Sequence, residues 1–285
     1  MKKRGIALVL AASVALAFSA CSGSGESGKG QADQAEETEI QVFIAASLNT
    51  VMTELAEIYR EDHPEVTIRY NADSSGTLLT QIQEGYECDL FFSAASRQMD
   101  VLEADGLVKE GTRSDVVNNR LVVVSRKDSG TKVTGLEDLD QAESIALAGG
   151  SVPAGRYTRQ ALIRLGILPE AEDPASVTTG EISSLLGGVE ISEQDNVSKV
   201  LLAVAEGSCE VGTTYYSDIY GYEDEIEVLQ TVDSSLTGNV IYPAALVVNE
   251  EADEAQEKAA EDFLEFILSE KAAEVFSSYY FDPVS

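Results

Sequence analysis

Four places in the sequence combine a strand, a short loop of small polar residues, and the start of a helix. The loops end at Ser47, at Ser75, at Ala154 and at the Asn196–Val197 pair. The first backbone N–H groups of a helix have no partner inside the helix, and the helix dipole places partial positive charge at the same end. Four such helix starts together could hold an anion without Lys or Arg. The predicted chemistry is therefore anion binding by neutral donors.

Each of these residues also has an ordinary structural interpretation. Ser47, Ser75 and Asn196 suit the N-cap position, where a side chain accepts a hydrogen bond from the first turn of a helix. Ala154 suits the first turn of a helix that begins at Pro153. The residue types alone leave the capping and the anion-binding interpretations open at each position.

The elements that would position these residues alternate along the chain. Strands are predicted at 40–45, 66–70, 89–93, 121–125, 145–148, 211–215, 226–229 and 240–248. Between most of them, apolar residues recur at helical spacing. The alternation predicts an α/β fold with largely parallel sheets. Ligands of such folds bind at the carboxyl ends of strands, where helix N-termini point inward, so the fold would bring the four loops to the ligand.

The composition argues against several classes of protein. The chain has 285 residues, with Lys+Arg 19 against Asp+Glu 50 and a formal net charge of −31. Nucleic acid is disfavoured as a partner because phosphate contacts need clustered Lys and Arg. A hydrophobic content of 44% is too high for a disordered polyanion. We therefore expect a folded protein whose partners are not polyanions.

The motifs argue against an enzyme and against a metal site. The sequence has no G-x-S-x-G nucleophile elbow, and its single histidine, His63, lies in a predicted loop. Cys88 and Cys209 lack the spacing of a zinc site. An exported protein could join them by a disulfide, but each precedes a strand in a different part of the predicted fold, so we expect two unpaired thiols. We expect no cofactor.

The N-terminus resembles the signal of a bacterial lipoprotein. Positions 2–4 are basic, 6–18 are apolar, and small residues precede Cys21. This pattern predicts removal of residues 1–20 and lipidation of Cys21, which would anchor an exported protein on the outer face of the cytoplasmic membrane. An ordinary secretory signal is the alternative. Residues 21–39 have the composition of a flexible tether.

Five motifs occur in an order and at a spacing that resemble a known family. They are Ala-Ala-Ser-Leu at 45–48, Ser-Ser-Gly-Thr-Leu at 74–78, Asp-Leu-Phe at 89–91, Val-Pro-Ala-Gly-Arg-Tyr at 152–157 and Val-Gly-Thr-Thr-Tyr-Tyr-Ser-Asp at 211–218. From residue 40 to the C-terminus the chain resembles the molybdate-binding protein of bacterial ABC importers. That resemblance implies a type II periplasmic-binding-protein fold, an importer permease as partner, and molybdate or tungstate as ligand. We expect a monomer.

The resemblance also implies a set of ligand-binding residues. Ser47 and Ser75 would offer hydroxyl groups, Ala154 and Val197 backbone N–H groups, and Tyr215 its phenol. Tyr215 could instead be a core aromatic residue, with the neighbouring Tyr216 as the ligand. Metal would be bound only as part of the oxyanion.

The implied fold has two lobes that close around the ligand. Lobe one is predicted at 40–122 and 243–285, and lobe two at 123–242. Two hinge strands, 121–125 and 242–248, would join them and allow closure.

Other ligands and roles stay open at this point. Asp73 or Asp195 in the pocket would accept a hydrogen bond from phosphate, and sulfate has the same charge as molybdate. Adjacent Tyr215 and Tyr216 could bind ferric iron, and the same fold could serve an anion-sensing module. The stretch 170–193 is longer than the family usually has and predicts an added short helix.

Overall fold

The computed structural model describes residues 37–284, which form two sheets flanked by helices. The strands are β1 (Thr38–Ala45), β2 (Val66–Asp73), β3 (Leu90–Phe92), β4 (Ser114–Asn119), β5 (Leu121–Arg126), β6 (Ser144–Ala148), β7 (Glu190–Gln194), β8 (Val211–Tyr215), β9 (Ile226–Thr231), β10 (Val240–Leu246) and β11 (Asp282–Pro283). The helices are α1 (Asn49–Asp62), α2 (Ser75–Gln83), α3 (Ser96–Ala104), α4 (Pro153–Arg164), α5 (Thr179–Leu185), α6 (Val197–Ala205), α7 (Ser234–Thr237), α8 (Glu254–Ile267) and α9 (Glu270–Ser278).

Both sheets mix parallel and antiparallel pairs. The first sheet has the order β11-β4-β10-β3-β1-β2, in which β1 runs parallel to β2 and β3 while β10 is antiparallel to β3 and β4. The second has the order β7-β6-β8-β5-β9, in which β6 runs parallel to β7 and β8 while β5 is antiparallel to its neighbours. The predicted α/β class with two lobes is confirmed. Below, "lobe" means one of these sheets with its helices.

The chain crosses between the sheets twice. It leaves the first sheet at Arg120, between β4 and β5, and returns in the segment between β9 and β10. Strand β5 pairs only within the second sheet, and β10 only within the first. The predicted lobe boundaries at 122/123 and 242/243, and the hinge role of the two strands, stay predictions.

Several elements differ from the sequence pattern. The pattern does not predict β4, β7 or β11, because these strands are polar or very short. The predicted signal peptide, Cys21 and most of the tether lie outside the described residues. Strand β1 begins at Thr38, inside the predicted tether. Within 37–284, helices long and apolar enough to cross a membrane are absent.

Cys88 and Cys209 lie in separate parts of the core. Cys88 packs in a hydrophobic cluster with Phe43 and Leu78, and Cys209 packs in another with Val122 and Val204. Both are buried, and both thiols are free.

The long 170–193 stretch contributes α5 and the edge strand β7 to the second sheet. The predicted short helix is present, and it begins at Thr179 because Thr178 and Glu181 form a capping box ahead of it. Strand β7 pairs in parallel with β6 along its whole length. The added segment therefore extends the second lobe without crossing to the first sheet.

A buried arginine ties this added segment to the start of α4. Arg159 is 1% exposed. Its guanidinium donates to the carbonyl oxygens of Val177 at 2.7 Å and of Ala148 and Gly155 at 2.9 Å. These three carbonyls belong to the added segment, the end of β6 and the first turn of α4. Arg159 therefore holds the loop before α4 in one position.

We predict that Arg159→Met lowers the free energy of unfolding by about 2–4 kcal/mol, because it removes three buried hydrogen bonds from a charged donor to carbonyl oxygens. Denaturant unfolding measures the change. Arg164→Met is the matched control on the same helix, because Arg164 is exposed and donates to one carbonyl, that of Ser235. The control should lose less than about 1 kcal/mol. Equal losses in the two variants would contradict the structural role given to Arg159.

Candidate anion-binding site

A small closed cavity lies between the two lobes, and most of the predicted ligand-binding residues line it. Its wall consists of Ala45, Ala46, Ser47, Ser74, Ser75, Ala94, Val152, Pro153, Asn196, Val197 and Tyr215. We call it the interlobe cavity. Its volume is about 10 Å³, which is about enough for one water molecule. A cavity of this size excludes sugars and peptides.

Three helices begin at the wall of the interlobe cavity. Helix α2 comes from the first lobe, and α4 and α6 come from the second. Ser74 caps α2, and its Oγ accepts from the Thr77 N–H at 3.2 Å. Asn196 caps α6, and its Oδ1 accepts from the Lys199 N–H at 3.0 Å. These caps satisfy one donor each, and the other first-turn N–H groups stay available for an anion.

Ser75 is the first residue of α2 and not its cap, so the capping interpretation of this residue is wrong. Its side chain is 1% exposed, and its Oγ accepts a hydrogen bond from the Ala94 N–H at 2.9 Å. Because that bond uses a lone pair, the hydroxyl hydrogen is free to be donated. Ser75 can therefore donate into the interlobe cavity from its side chain.

Ser47 also has no capping role. It lies in a short 3-10 turn, Ala46–Leu48, and helix α1 begins after Leu48 without a side-chain cap. The Oγ atom of Ser47 lies 2.9 Å from the phenolic oxygen of Tyr242, on β10. The interpretation of Asn196 as a cap is correct, by contrast, and its neighbour Val197 lines the interlobe cavity as the first residue of α6.

Tyr215 ends β8 and is 1% exposed, yet its hydroxyl group has no hydrogen-bond partner in the described part of the chain. A buried hydroxyl without a partner costs about 1–3 kcal/mol, so such groups commonly mark a ligand contact. Burial raises the pKa of Tyr215 well above its ordinary value, which keeps the phenol protonated. The Tyr215 hydroxyl can therefore donate a hydrogen bond to a ligand.

The neighbouring Tyr216 is directed elsewhere. The centroids of the Tyr216 and Tyr280 rings lie 5.3 Å apart, and the Arg120 guanidinium lies 4.4 Å from the centroid of the Tyr216 ring. Tyr216 does not line the interlobe cavity. The two adjacent tyrosines therefore do not converge on one point, as paired phenolate ligands of ferric iron would. Among residues 37–284, no group of three or more His, Cys, Asp and Glu side chains could hold a metal ion.

Ala154 stands one residue away from the wall. It is the second residue of α4 and fully buried, while Val152 and Pro153 line the interlobe cavity. Helix α4 can begin close to β6 because Gly155 carries no side chain. A Cβ at that position would lie closer than 3.0 Å to the carbonyl oxygens of Ala148 and Gly149.

Neither of the two acidic residues considered from sequence lines the cavity. Asp195 is mostly exposed and pairs with Lys199 at 2.6 Å. Asp73 accepts hydrogen bonds from the Ser74 N–H at 2.7 Å and from the side chain of Asn196 at 3.2 Å. The second of these bonds joins the two lobes beside the interlobe cavity. The wall of the cavity therefore contains no carboxylate among its residues.

Sequence reasoning did not identify Asp218 as a residue that supports the site. Its carboxylate accepts from the backbone N–H of Tyr215 at 2.9 Å and from the hydroxyl of Thr214. Burial raises the pKa of Asp218 to about 6. The carboxylate closes the turn after β8 and so fixes the backbone from which Tyr215 projects. Its position three residues after Tyr215, typical of a turn-closing Asp, was the available signal.

Comparison with known proteins gives consistent matches over the described part of the chain. The model of the family described as bacterial extracellular solute-binding protein matches residues 40–282. The molybdate-binding protein ModA of Escherichia coli is 30% identical over 255 residues, which cover 87% of this chain and 90% of ModA. YvgL of Bacillus subtilis, provisionally assigned as an ABC transporter substrate-binding lipoprotein, is 28% identical over 256 residues, 90% of each chain.

The solved structures agree with these relatives. The substrate-binding domain of a provisionally assigned molybdenum ABC transporter from Clostridium difficile is 31% identical. It superposes with a TM-score of 0.61, covering 87% of this chain and 100% of that domain. The resemblance carried by the five sequence motifs is confirmed by these matches. The chain therefore belongs to the family of bacterial extracellular solute-binding proteins.

Proposed function

We propose that this protein binds a tetrahedral oxyanion, molybdate or tungstate, between its two lobes and delivers it to the permease of an ABC importer. The observation that carries the proposal is the unpartnered phenol of Tyr215 at the interlobe cavity, whose wall also includes Ser47 and Ser75. The names of the similar proteins support the same ligand class. Cys21 would anchor the exported protein to the outer face of the membrane.

Neutral donors suit a fully deprotonated dianion. Every oxygen of molybdate accepts hydrogen bonds, so hydroxyl and N–H groups satisfy it without any acceptor in the wall. In an enclosed site such preorganised donors act more strongly than they would in water. Ser47, Ser75 and Tyr215 would supply hydroxyl hydrogens, and the first turns of α4 and α6, at Ala154 and Val197, would supply N–H groups. The protein would act by binding and closure, without catalysis.

The same donor set disfavours the alternative ligands. Hydrogen phosphate carries a proton that needs an acceptor, and a site that leaves a buried polar group unpaired rejects such a ligand strongly. Sulfate is smaller than molybdate, so donors placed for the larger ion would not reach all of its oxygens. Tungstate is nearly isosteric with molybdate and should bind equally well. An anion-sensing role would use the same site and the same ligands.

We predict that the purified protein binds molybdate and tungstate at least about 100-fold more tightly than sulfate or phosphate. Calorimetric titration with the four anions measures the affinities, and a ferric salt is added as a fifth ligand. Tight binding of phosphate or ferric iron, with no binding of molybdate, would overturn the proposal.

We predict that Tyr215→Phe and Ser75→Ala each weaken molybdate binding by about 10- to 100-fold, because each removes one hydrogen bond to a charged ligand. The same titration measures the effect. Tyr216→Phe is the matched control, since its ring does not line the interlobe cavity, and it should bind like the parent. If Tyr215→Phe bound as tightly as the parent and Tyr216→Phe did not, the ligand role would move to Tyr216.

Closure depends on a close approach between the lobes at Gly76. A Cβ atom added to Gly76, the second residue of α2, would lie closer than 3.0 Å to the carbonyl oxygen of Ser151 in the other lobe. Real Cβ atoms essentially never approach other atoms so closely. Nearby, Asn196 donates to Asp73, and Arg97 lies 3.8 Å from Asp173. Backbone contact at Gly76 is therefore part of the closed state.

We predict that Gly76→Ala weakens molybdate binding by about 10-fold or more, because the added methyl group holds the lobes apart and costs at least one hydrogen bond to the ligand. Gly180→Ala is the matched control, because Gly180 is also the second residue of a helix but has open space around it. Titration gives the affinities, and small-angle X-ray scattering with ligand shows whether the variant closes. Full closure and parent-like affinity of Gly76→Ala would contradict the prediction.

A further inference from the structure

A buried amide lies behind the hydroxyl of Ser47. Asn119, at the end of β4, is 5% exposed. Its Nδ2 donates to the Tyr242 hydroxyl at 3.1 Å and to the Ser217 hydroxyl at 2.8 Å. Its Oδ1 accepts from the Arg120 N–H at 2.8 Å. A flipped amide would place two donors face to face at Arg120, so the orientation of Asn119 is fixed.

The fixed Asn119 amide determines which hydroxyl donates in the hydrogen bond between Tyr242 and Ser47. The Tyr242 hydroxyl accepts from Asn119, and the other hydrogen bond that it makes within residues 37–284 joins it to the Oγ of Ser47 at 2.9 Å. If Ser47 donated to Tyr242 instead, the phenol hydrogen would be buried without an acceptor, at a substantial cost. Tyr242 is fully buried, and burial raises its pKa well above the ordinary value, so it stays protonated.

We propose that Asn119 and Tyr242 are specificity-determining residues: they force Ser47 to present its hydrogen to the interlobe cavity and so favour fully deprotonated oxyanions over protonated ones. This inference rests on the proposed function. Neither residue lines the interlobe cavity, so both act by orienting Ser47.

Ser75 has the same arrangement on the other side of the cavity. The Ala94 N–H, which can only donate, occupies a lone pair of Ser75 and leaves the hydroxyl hydrogen for the ligand. The hydroxyls of Ser47 and Ser75 thus each accept a hydrogen bond from a group that lies outside the cavity wall or at its edge. A ligand that itself carries a hydrogen, such as hydrogen phosphate, meets donors where it needs an acceptor.

We call the hydrogen bonds from Asn119 through Tyr242 to Ser47 the relay. Tyr242→Phe tests the relay and keeps the ring, which packs edge-to-face against the rings of Tyr215 and Phe281 with centroids 5.7 Å apart. Without the phenol, Ser47 can turn its lone pair toward the cavity. Titrations with molybdate and inorganic phosphate at pH 8, where both are mainly dianions, give two affinities. We expect the ratio of molybdate to phosphate affinity to fall by about 10-fold or more, the equivalent of one hydrogen bond.

Asn119→Asp gives a second, independent variant. The new carboxylate would accept the Tyr242 hydrogen, so that Tyr242 would in turn accept from Ser47 and reverse the polarity of the relay. The added charge repels both dianions alike and cancels in the ratio of the two affinities. We expect this ratio to fall at least as far as it does in Tyr242→Phe.

Tyr70→Phe is the matched control, because it also removes a hydrogen-bonded tyrosine hydroxyl, which donates to the Met52 carbonyl at 2.8 Å away from the cavity. Its affinity ratio should equal that of the parent. If the parent selects molybdate and both relay variants keep its ratio, this inference is wrong and the proposed function stands. If the parent does not bind molybdate, the proposed function fails, and this inference falls with it.

Discussion

A buried hydrogen-bond donor must meet an acceptor, and the closed cavity between the two lobes leaves this requirement unmet at one place. The phenol of Tyr215 is buried, protonated and without a hydrogen-bond partner among residues 37–284, next to Ser47 and Ser75, whose hydroxyls each make one hydrogen bond within the protein. Such a set is unfavourable when empty and favourable around an anion. The donors come from both lobes, so an ion that accepted from all of them would also join the lobes. Ligand binding and closure would then be one event.

The net charge of the protein opposes this local attraction at long range. A chain with a formal charge of −31 repels a dianion in solution, and the repulsion weakens as salt screens it. Attraction would begin only at short distance, at three helix N-termini and four hydroxyl-bearing residues, in a cavity wall that contains no carboxylate. The acidity of the chain therefore says little about its ligand. It describes the solvated outer surface, where carboxylates such as Asp195 are exposed and paired with lysine.

Much of the fold could be predicted, and so could the placement of four candidate residues, because both depend on local patterns. The predicted loops at the ends of strands contain Ser47, Ser75, Val197 and Tyr215, and the structure brings these residues together at one cavity. The residues behind the site had no such pattern. Asn119 and Tyr242 meet across 123 residues of sequence, and nothing in either strand distinguishes them from ordinary sheet residues. Arg159 was missed for a related reason: arginine is normally exposed, and the carbonyls that hold it belong to three separate segments.

The supporting residues explain how a site with neutral donors can still be selective. A serine hydroxyl in isolation rotates and can donate or accept, so it would satisfy molybdate and hydrogen phosphate about equally well. Selectivity requires that a group outside the cavity restrict the rotation of the hydroxyl. Only a group that is confined to donating, or confined to accepting, can do this. The backbone N–H of Ala94 restricts Ser75 in this way. The Asn119 amide, whose orientation is fixed by the Arg120 N–H, restricts Ser47 through Tyr242. On this proposal the discrimination at Ser47 originates in residues that do not line the interlobe cavity, and it depends on the first sheet keeping β4 and β10 in register.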